Sequence, residues 1–155
     1  MSATEQTITV TINGTSYERE VDARKLLIHF VRDDLDLTGS HIGCDTGNCG
    51  ACSLIVDGTL VKSCMMLAVQ ADGTSIETVE GLADGEELTK LQEAFSAHHA
   101  LQCGFCTPGM LMSSTALLRA NPHPSEQEIR KALQGNICRC TGYWNIFQAV
   151  KAAAE

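Results

Sequence analysis

The sequence predicts an α+β protein in which a sheet-forming half precedes an all-helical half. Residues 7–20 alternate apolar and polar side chains with a period of two, which is typical of strands, and the Asn13-Gly14 pair between them is a typical hairpin turn. In the second half, the apolar residues recur instead at the spacing of helices. A glycine-flanked linker over residues 81–85 separates the two patterns. The expected domains are residues 1–80 and 81–155.

The first half continues with a helix and further short strands. Asp22 is a suitable N-cap for a helix over about residues 24–35. The apolar residues on one face of this helix are Leu26, Leu27, Phe30 and Val31. Strands are predicted over residues 52–56, 60–64 and 75–79, the first two joined by a turn at Asp57-Gly58. This order of elements predicts a helix packed across a mixed sheet.

Four helices are predicted in the second half, and together they indicate a small helical bundle. Their expected ranges are 86–98, 107–120, 125–135 and 144–153. Thr107 is a favourable N-cap, and Pro108 suits the first helical position. Ser125, with Glu128 three residues later, has the pattern of a capping box.

Composition and charge exclude several classes of protein. The chain has 155 residues, a hydrophobic content of 44% and a formal net charge of −8, so nothing favours binding to nucleic acid or to an anionic membrane surface. No apolar run approaches the roughly 20 residues of a membrane span. Residues 1–6 lack a basic export signal and a twin-arginine pair, so we expect a cytoplasmic protein.

Cysteine is unusually frequent and clustered. Eight cysteines in 155 residues would form four disulfides in a secreted chain. Without a visible export signal, and with thiols kept reduced inside cells, metal ligation is the better interpretation.

The first cysteine set has the spacing C-x4-C-x2-C-x11-C, which opens like a plant-type [2Fe–2S] loop. It comprises Cys44, Cys49, Cys52 and Cys64. A short loop that wraps a cluster needs small residues that permit close approach, and this loop contains Gly43, Gly47, Gly50 and Ala51. Structural zinc more often shows paired C-x2-C motifs. We therefore predict a [2Fe–2S] cluster here, with zinc or disulfides as alternatives.

The second cysteine set has the spacing C-x2-C-x31-C-x-C and comprises Cys103, Cys106, Cys138 and Cys140. Each pair lies just before a predicted helix, where free N–H groups and the positive end of the helix dipole stabilise thiolates. A C-x-C pair is poorly suited to a disulfide. This spacing alone leaves a zinc site open, but the neighbouring first set favours a second cluster.

Two residues near the cysteines, Arg139 and His41, each allow two interpretations. Arg139, between two predicted ligands, could offset cluster charge or face the solvent. His41 precedes the first loop and could line the cluster, although four cysteines already suffice as ligands.

Three segments together resemble the iron–sulfur subunit of the xanthine oxidase family of molybdenum hydroxylases. They are GCDTGNCGAC at residues 43–52, LQCGFCTPG at 101–109 and GNICRCTGY at 135–143. The resemblance extends over nearly the whole chain, and all eight ligand cysteines of the family are present in order. It implies an N-terminal β-grasp, ferredoxin-like [2Fe–2S] domain followed by an all-α four-helix-bundle [2Fe–2S] domain.

The resemblance also implies partners and a route for electrons. A large molybdopterin subunit and a medium FAD subunit would join this chain in a dimer of heterotrimers. Electrons would pass from molybdenum through the helical-domain cluster and the ferredoxin-domain cluster to FAD. Gln102 and Cys140 match family positions that hydrogen-bond the pterin cofactor. Within the family, residues 26–32 and 38–46 look most like the small subunit of aerobic carbon monoxide dehydrogenase. Small subunits of nicotine, quinoline, caffeine or aldehyde hydroxylases are the alternative.

Two other classes of protein also fit the cysteine count. A free-standing two-cluster ferredoxin would purify without large partners. A zinc-stabilised interaction module would be colourless, whereas two clusters give a red-brown protein.

Overall fold

A computed structural model describes residues 4–154, and the first half of the chain is a five-stranded mixed sheet. The strands are β1 (Glu5–Ile12), β2 (Thr15–Asp22), β3 (Ser53–Val56), β4 (Thr59–Lys62) and β5 (Ser75–Glu77). Their order is β2-β1-β5-β3-β4, with β1 parallel to β5 and the other neighbours antiparallel. The predicted α+β fold class is confirmed. Four residues lie outside the described range: Met1, Ser2, Ala3 and Glu155. The predicted outer domain limits, residues 1 and 155, are among them.

Both predicted hairpin turns are present. Asn13 (φ 50°) and Gly14 (φ 81°) join β1 to β2, and Asp57 (φ 46°) and Gly58 (φ 77°) join β3 to β4. Positive φ at both central residues gives a turn whose twist matches that of the flanking strands. The register of both hairpins is therefore fixed locally.

The predicted helix after Asp22 is shorter than expected. Helix α1 spans only Leu27–His29 and continues as a π-helical turn over Phe30–Asp34. The prediction of Asp22 as N-cap is wrong, because its carboxylate accepts the backbone N–H of Arg24 at 2.8 Å and pairs with that arginine's guanidinium. The N-cap residue, Leu26, has no capping side chain.

The core of the first half lies between α1 and the sheet. Alternate residues of β1 point into it, as the period of two predicts. The buried residues that fill it are Ile8, Val10, Ile12, Val21, Leu27, Phe30, Val31, Leu54, Val56, Ala68, Ala71 and Ile76.

The second half contains four longer helices. They are α2 (Lys90–Ala97), α3 (Thr107–Ala120), α4 (Glu126–Leu133) and α5 (Trp144–Ala154). Helix α2 begins four residues later than predicted, because Thr89 and Gln92 form a reciprocal capping box. The predicted capping box of Ser125 and Glu128 is confirmed.

The predicted N-cap of α3 is displaced by one residue. Cys106 is the N-cap, and Thr107 is already the first helical residue. The buried Thr107 hydroxyl has no hydrogen-bond partner within residues 4–154. Pro108 occupies the first turn, as predicted.

Helix α3 connects the two halves, because it packs against β3 and β4 as well as against α4. A second core forms within the bundle around Phe95, Met110, Ile129, Ile146 and Phe147. None of the helices within residues 4–154 combines the length and apolar character needed to cross a bilayer.

Candidate metal centres

The first cysteine set lies where the β3–β4 hairpin meets the loop after the π-helical turn. Cys44 and Cys49 belong to the loop, Cys52 directly precedes β3, and Cys64 lies in a 3₁₀ turn that follows β4. Ser63 ties this turn to the loop, since its N–H and its hydroxyl both donate to the Cys52 carbonyl, at 3.3 and 2.7 Å. The antiparallel hairpin thus brings two distant cysteines to the same end of the sheet.

Within this set, the thiols form two pairs. The Cys44 Sγ accepts the backbone N–H groups of Cys49 at 3.3 Å and Thr46 at 3.4 Å, and the Cys44 and Cys49 thiols are neighbours. The thiols of Cys52 and Cys64 form the other pair. Amide donors that point at a cysteine sulfur are what a negatively charged cluster requires of its loop.

Two thiols of this set, Cys44 and Cys64, differ in electrostatic environment. Hydrogen bonds from Thr46 and from the Cys49 amide lower the pKa of the half-buried Cys44 thiol to about 6. Burial raises the pKa of Cys64 to about 11. The Cys64 thiol therefore stays protonated at neutral pH unless a metal ion displaces its proton.

The second cysteine set lies at the start of α3 and before α5. Cys103 and Cys140 have their Sγ atoms 3.5 Å apart, and the thiols of Cys106 and Cys138 form the other pair. Burial raises the pKa of Cys106 to about 12. The backbone N–H of Cys138 donates to the Tyr143 hydroxyl at 2.8 Å, which fixes the second loop.

The pairing suits diiron clusters. Two thiolates on one tetrahedral ion lie about 3.7 Å apart when metal–sulfur bonds are about 2.3 Å long. The separation of Cys103 and Cys140 is close to that value. Among residues 4–154, no three His, Cys, Asp or Glu side chains converge as the ligands of a single ion would. Two pairs in each set match two irons with two thiolates each.

The eight cysteines differ in their access to the surface. Cys103 and Cys140 are exposed, as is Gln102 beside them, whereas Cys52, Cys64 and Cys138 are buried. The sequence positions within four residues of this outer pair carry exposed apolar side chains: Leu101, Phe105, Ile137, Tyr143 and Trp144. Arg139 is exposed, so it faces the solvent rather than the interior.

Several contacts at the junction of the two cysteine loops were not predicted, although His41 was noted beside the first loop. His41 Nδ1 lies 2.8 Å from the Phe105 carbonyl, and the two rings stack with centroids 4.6 Å apart. Lys62 Nζ donates to the Gly47 carbonyl at 2.6 Å. Buried Asn136 contacts the loop at Gly50. Their partners are distant in sequence, so no local pattern could have identified them.

Two family models match the chain, one in each half. The model described as a 2Fe-2S iron-sulfur cluster binding domain matches residues 10–89, and the model described as a [2Fe-2S] binding domain matches residues 78–151. The small subunit of nicotine 6-hydroxylase from Paenarthrobacter nicotinovorans is 56% identical over 92% of this chain and 86% of its own length. This chain is a small iron–sulfur subunit of the xanthine oxidase family. As such it is an electron-transfer subunit of a multi-subunit oxidoreductase with two [2Fe–2S] domains.

Further members of the xanthine oxidase family agree in sequence and in structure. The gamma subunit of caffeine dehydrogenase from Pseudomonas sp. (strain CBB1) is 53% identical over 95% of this chain and 90% of its own. Quinoline 2-oxidoreductase from Pseudomonas putida 86 contains a chain that superimposes with a TM-score of 0.95 at 49% identity, with 98% and 95% of the two chains covered.

In one family member the same unit is part of a longer polypeptide. Aldehyde oxidoreductase from Desulfovibrio gigas superimposes with a TM-score of 0.92 at 42% identity, over 96% of this chain but only 17% of that chain. The predicted fold of two cluster domains in succession is confirmed. The finer prediction of a carbon monoxide dehydrogenase finds no support among these relatives.

Proposed function

We propose that the eight cysteines hold two [2Fe–2S] clusters, one in each domain. The first cysteine set would bind the ferredoxin-domain cluster, with Cys44 and Cys49 on one iron and Cys52 and Cys64 on the other. The second cysteine set would bind the helical-domain cluster, with Cys103 and Cys140 on one iron and Cys106 and Cys138 on the other. The observation that carries this assignment is the 3.5 Å separation of the Cys103 and Cys140 Sγ atoms, and the mutual pKa effects within the other three pairs support it. The domain limits of residues 1–80 and 81–155 would then give each domain one complete set.

We further propose that the chain relays electrons between a large molybdopterin subunit and a medium FAD subunit. When bound, the two clusters supply one-electron transfer. Cys103, Cys140 and Gln102 form the face toward the molybdopterin subunit, since they are exposed while all six other cysteines are at least partly covered. Cys140 and Gln102 would hydrogen-bond the pterin there. The exposed apolar residues around them suit a surface that a partner subunit covers.

For the substrate of the complex, we propose an N-heterocyclic compound of the nicotine, caffeine or quinoline type. Relatives that act on such compounds are about half identical to this chain over nearly its whole length. The substrate would bind on the large subunit, so this part of the proposal rests on resemblance. Assays of the purified complex with N-heterocycles, an aldehyde and carbon monoxide distinguish the substrate classes, and oxidation of carbon monoxide alone would contradict it.

The ligand assignment is tested by metal analysis of single variants. We expect about four irons and four acid-labile sulfides per chain. Cys52→Ser should remove the EPR signal of one cluster and Cys106→Ser that of the other. A zinc content in place of iron and sulfide, with no visible absorption, would overturn the assignment.

The proposed pterin contact is tested by Gln102→Ala in the complete complex. Substrate reduction of the helical-domain cluster in a single turnover should become slower, while iron and sulfide contents stay unchanged. Gln127→Ala, which removes an exposed glutamine on α4, is the matched control. An unchanged single-turnover rate in Gln102→Ala would exclude the contact.

A further inference from the structure

The two cysteine loops are joined directly by a backbone hydrogen bond. The N–H of Ile137 donates to the carbonyl of Cys49 at 2.8 Å. Cys49 belongs to the first cysteine set, and Ile137 is the covalent neighbour of Cys138 in the second cysteine set. This contact therefore links a proposed ligand of one cluster, through one hydrogen bond and a few covalent bonds, to a proposed ligand of the other.

Asn136 fixes this contact from the adjacent position. Its side chain is only 4% exposed. Its Nδ2 donates to the Gly50 carbonyl at 3.1 Å, and its Oδ1 accepts the Ser113 hydroxyl of α3 at 2.8 Å. One buried amide thus ties together the first loop, the second loop and the helix that packs on the sheet.

The backbone around Asn136 is tightly packed. A Cβ atom on Gly50 (φ 74°) would lie 2.3 Å from the Gly135 carbonyl oxygen. A Cβ atom on Gly109 would lie 2.1 Å from the Gly50 carbonyl oxygen. At Gly50 and Gly109, the two cysteine loops and α3 lie too close together for any side chain larger than that of glycine. The Asn136 amide is therefore closely surrounded by backbone.

We propose that Asn136 is a positioning residue for electron transfer between the two clusters. It holds the Cys49 carbonyl and the Ile137 N–H in contact, and this contact keeps the distance and the coupling between the clusters constant. One electron is transferred, the helical-domain cluster being oxidised and the ferredoxin-domain cluster reduced, and no bond is formed or broken. The inference rests on the proposed ligand assignment.

The test uses the complete enzyme complex and three variants. Asn136→Leu removes both side-chain hydrogen bonds at similar volume, and Ser113→Ala removes one of them with less risk to folding. Ser114→Ala is the matched control, because Ser114 is a fully buried neighbour on α3 whose hydroxyl has no partner within residues 4–154. The transfer rate is measured after pulse-radiolytic reduction by one electron, with the two clusters followed by freeze-quench EPR. Iron content and both midpoint potentials are measured in parallel.

We expect a several-fold slower transfer in Asn136→Leu and a smaller decrease in Ser113→Ala. Iron content and potentials should match those of the parent, and Ser114→Ala should transfer at the parental rate. An unchanged rate in both Asn136→Leu and Ser113→Ala overturns the inference, and so does a decrease explained entirely by lost iron or shifted potentials. If Asn136→Leu does not assemble, the inference is tested by comparing the electron-transfer rates of Ser113→Ala and Ser114→Ala, and equal rates overturn it. Absence of iron from the parent complex would instead refute the ligand assignment.

Discussion

At the scale of single residues, the first cysteine loop is held by the side chain of Lys62, which is not one of the proposed metal ligands. Lys62 is half-buried, donates to the Gly47 carbonyl, and has its Nζ 3.6 Å from the position of a Cβ atom on Gly135. Its ammonium group therefore lies between the two cysteine loops. A positive charge at this position stabilises the reduced cluster, which carries one more negative charge than the oxidised form.

Replacing Lys62 should lower the midpoint potential of the ferredoxin-domain cluster. For Lys62→Met, we expect a decrease on the order of tens of millivolts, because the reduced state loses a favourable charge interaction. An EPR-monitored redox titration measures it. Lys90→Met, an exposed lysine at the start of α2, should leave both potentials unchanged. An equal shift in both variants would mean that only net charge matters.

Gly109 is the second single residue on which the junction of the halves depends. Alanine normally favours a helix by about 1 kcal/mol over glycine. In α3, however, the added methyl group would collide with the Gly50 carbonyl oxygen. We expect Gly109→Ala to destabilise the protein by about 1–3 kcal/mol, as overpacking typically does.

Urea denaturation of the holoprotein measures the effect of Gly109→Ala. Gly135→Ala is the control, since the nearest atom to its Cβ would be the flexible Lys62 ammonium at 3.6 Å. Equal stability of Gly109→Ala and the parent would show that α3 can move away from the loop.

At the scale of elements, an ion pair joins the sheet to the helical half. The Arg119 guanidinium of α3 donates to both carboxylate oxygens of Glu77 in β5, at 2.7 and 2.8 Å. Arg119 holds the pKa of Glu77 below its usual value. A lowered pKa in the folded state stabilises the protein above the unfolded-state pKa, and this stabilisation is lost as the pH falls through the folded-state pKa.

Glu77→Gln should therefore cost stability at neutral pH but little in acid. Because the two side chains are 35% and 52% exposed, solvent screening limits the loss to about 0.5 kcal/mol at pH 7. The difference from the parent should shrink as the pH falls below about 4, toward the lowered folded-state pKa of Glu77. Urea unfolding at several pH values measures it, with Glu86→Gln in the exposed connecting segment as the control for net charge. A difference that is independent of pH would contradict the assigned role of the ion pair.

At the scale of the whole molecule, five of the eight large apolar side chains exposed within residues 4–154 lie within four sequence positions of the outer cysteine pair. Trp144 is 59% exposed and Ile137 is 56% exposed, and both line a cavity of about 460 Å³ with Tyr143 and Phe147. Large apolar side chains this exposed, clustered together, are typical of a surface that a partner covers. The concentration beside Cys140 supports assembly through the helical domain.

Trp144→Asp should weaken assembly with the large subunit. The aspartate would place a charge in an apolar interface, so co-purification of the large subunit should fall sharply. Leu88→Asp is the matched control, because Leu88 is 51% exposed but lies in the segment before α2. Both variants should keep the iron content of the parent. Normal assembly of Trp144→Asp would show that the large subunit contacts a different surface of this chain.

The sequence by itself determined the local features of this protein. The two hairpin turns, the Ser125 capping box and helix α3 follow from residues within a few positions of each other. The spacing of the cysteines favoured two clusters, because ligand spacing in short loops is also a local property, and the resemblance of residues 43–52, 101–109 and 135–143 identified the family. Thr89 and Gln92 were an equally local signal that the prediction of α2 did not use.

Only the tertiary structure decided how the cysteines pair and how the two domains meet. Asn136 and Gly50 are 86 residues apart, and Cys103 and Cys140 are 37 apart, so no periodicity connects them. The length of α1 was also set by contacts beyond the helix, since Leu26 is held extended by pairing with Leu67. Local sequence fixes turns, caps and ligand loops. Contacts between distant segments depend instead on the packing of the whole chain, and this packing sets the junction between the two cysteine sets.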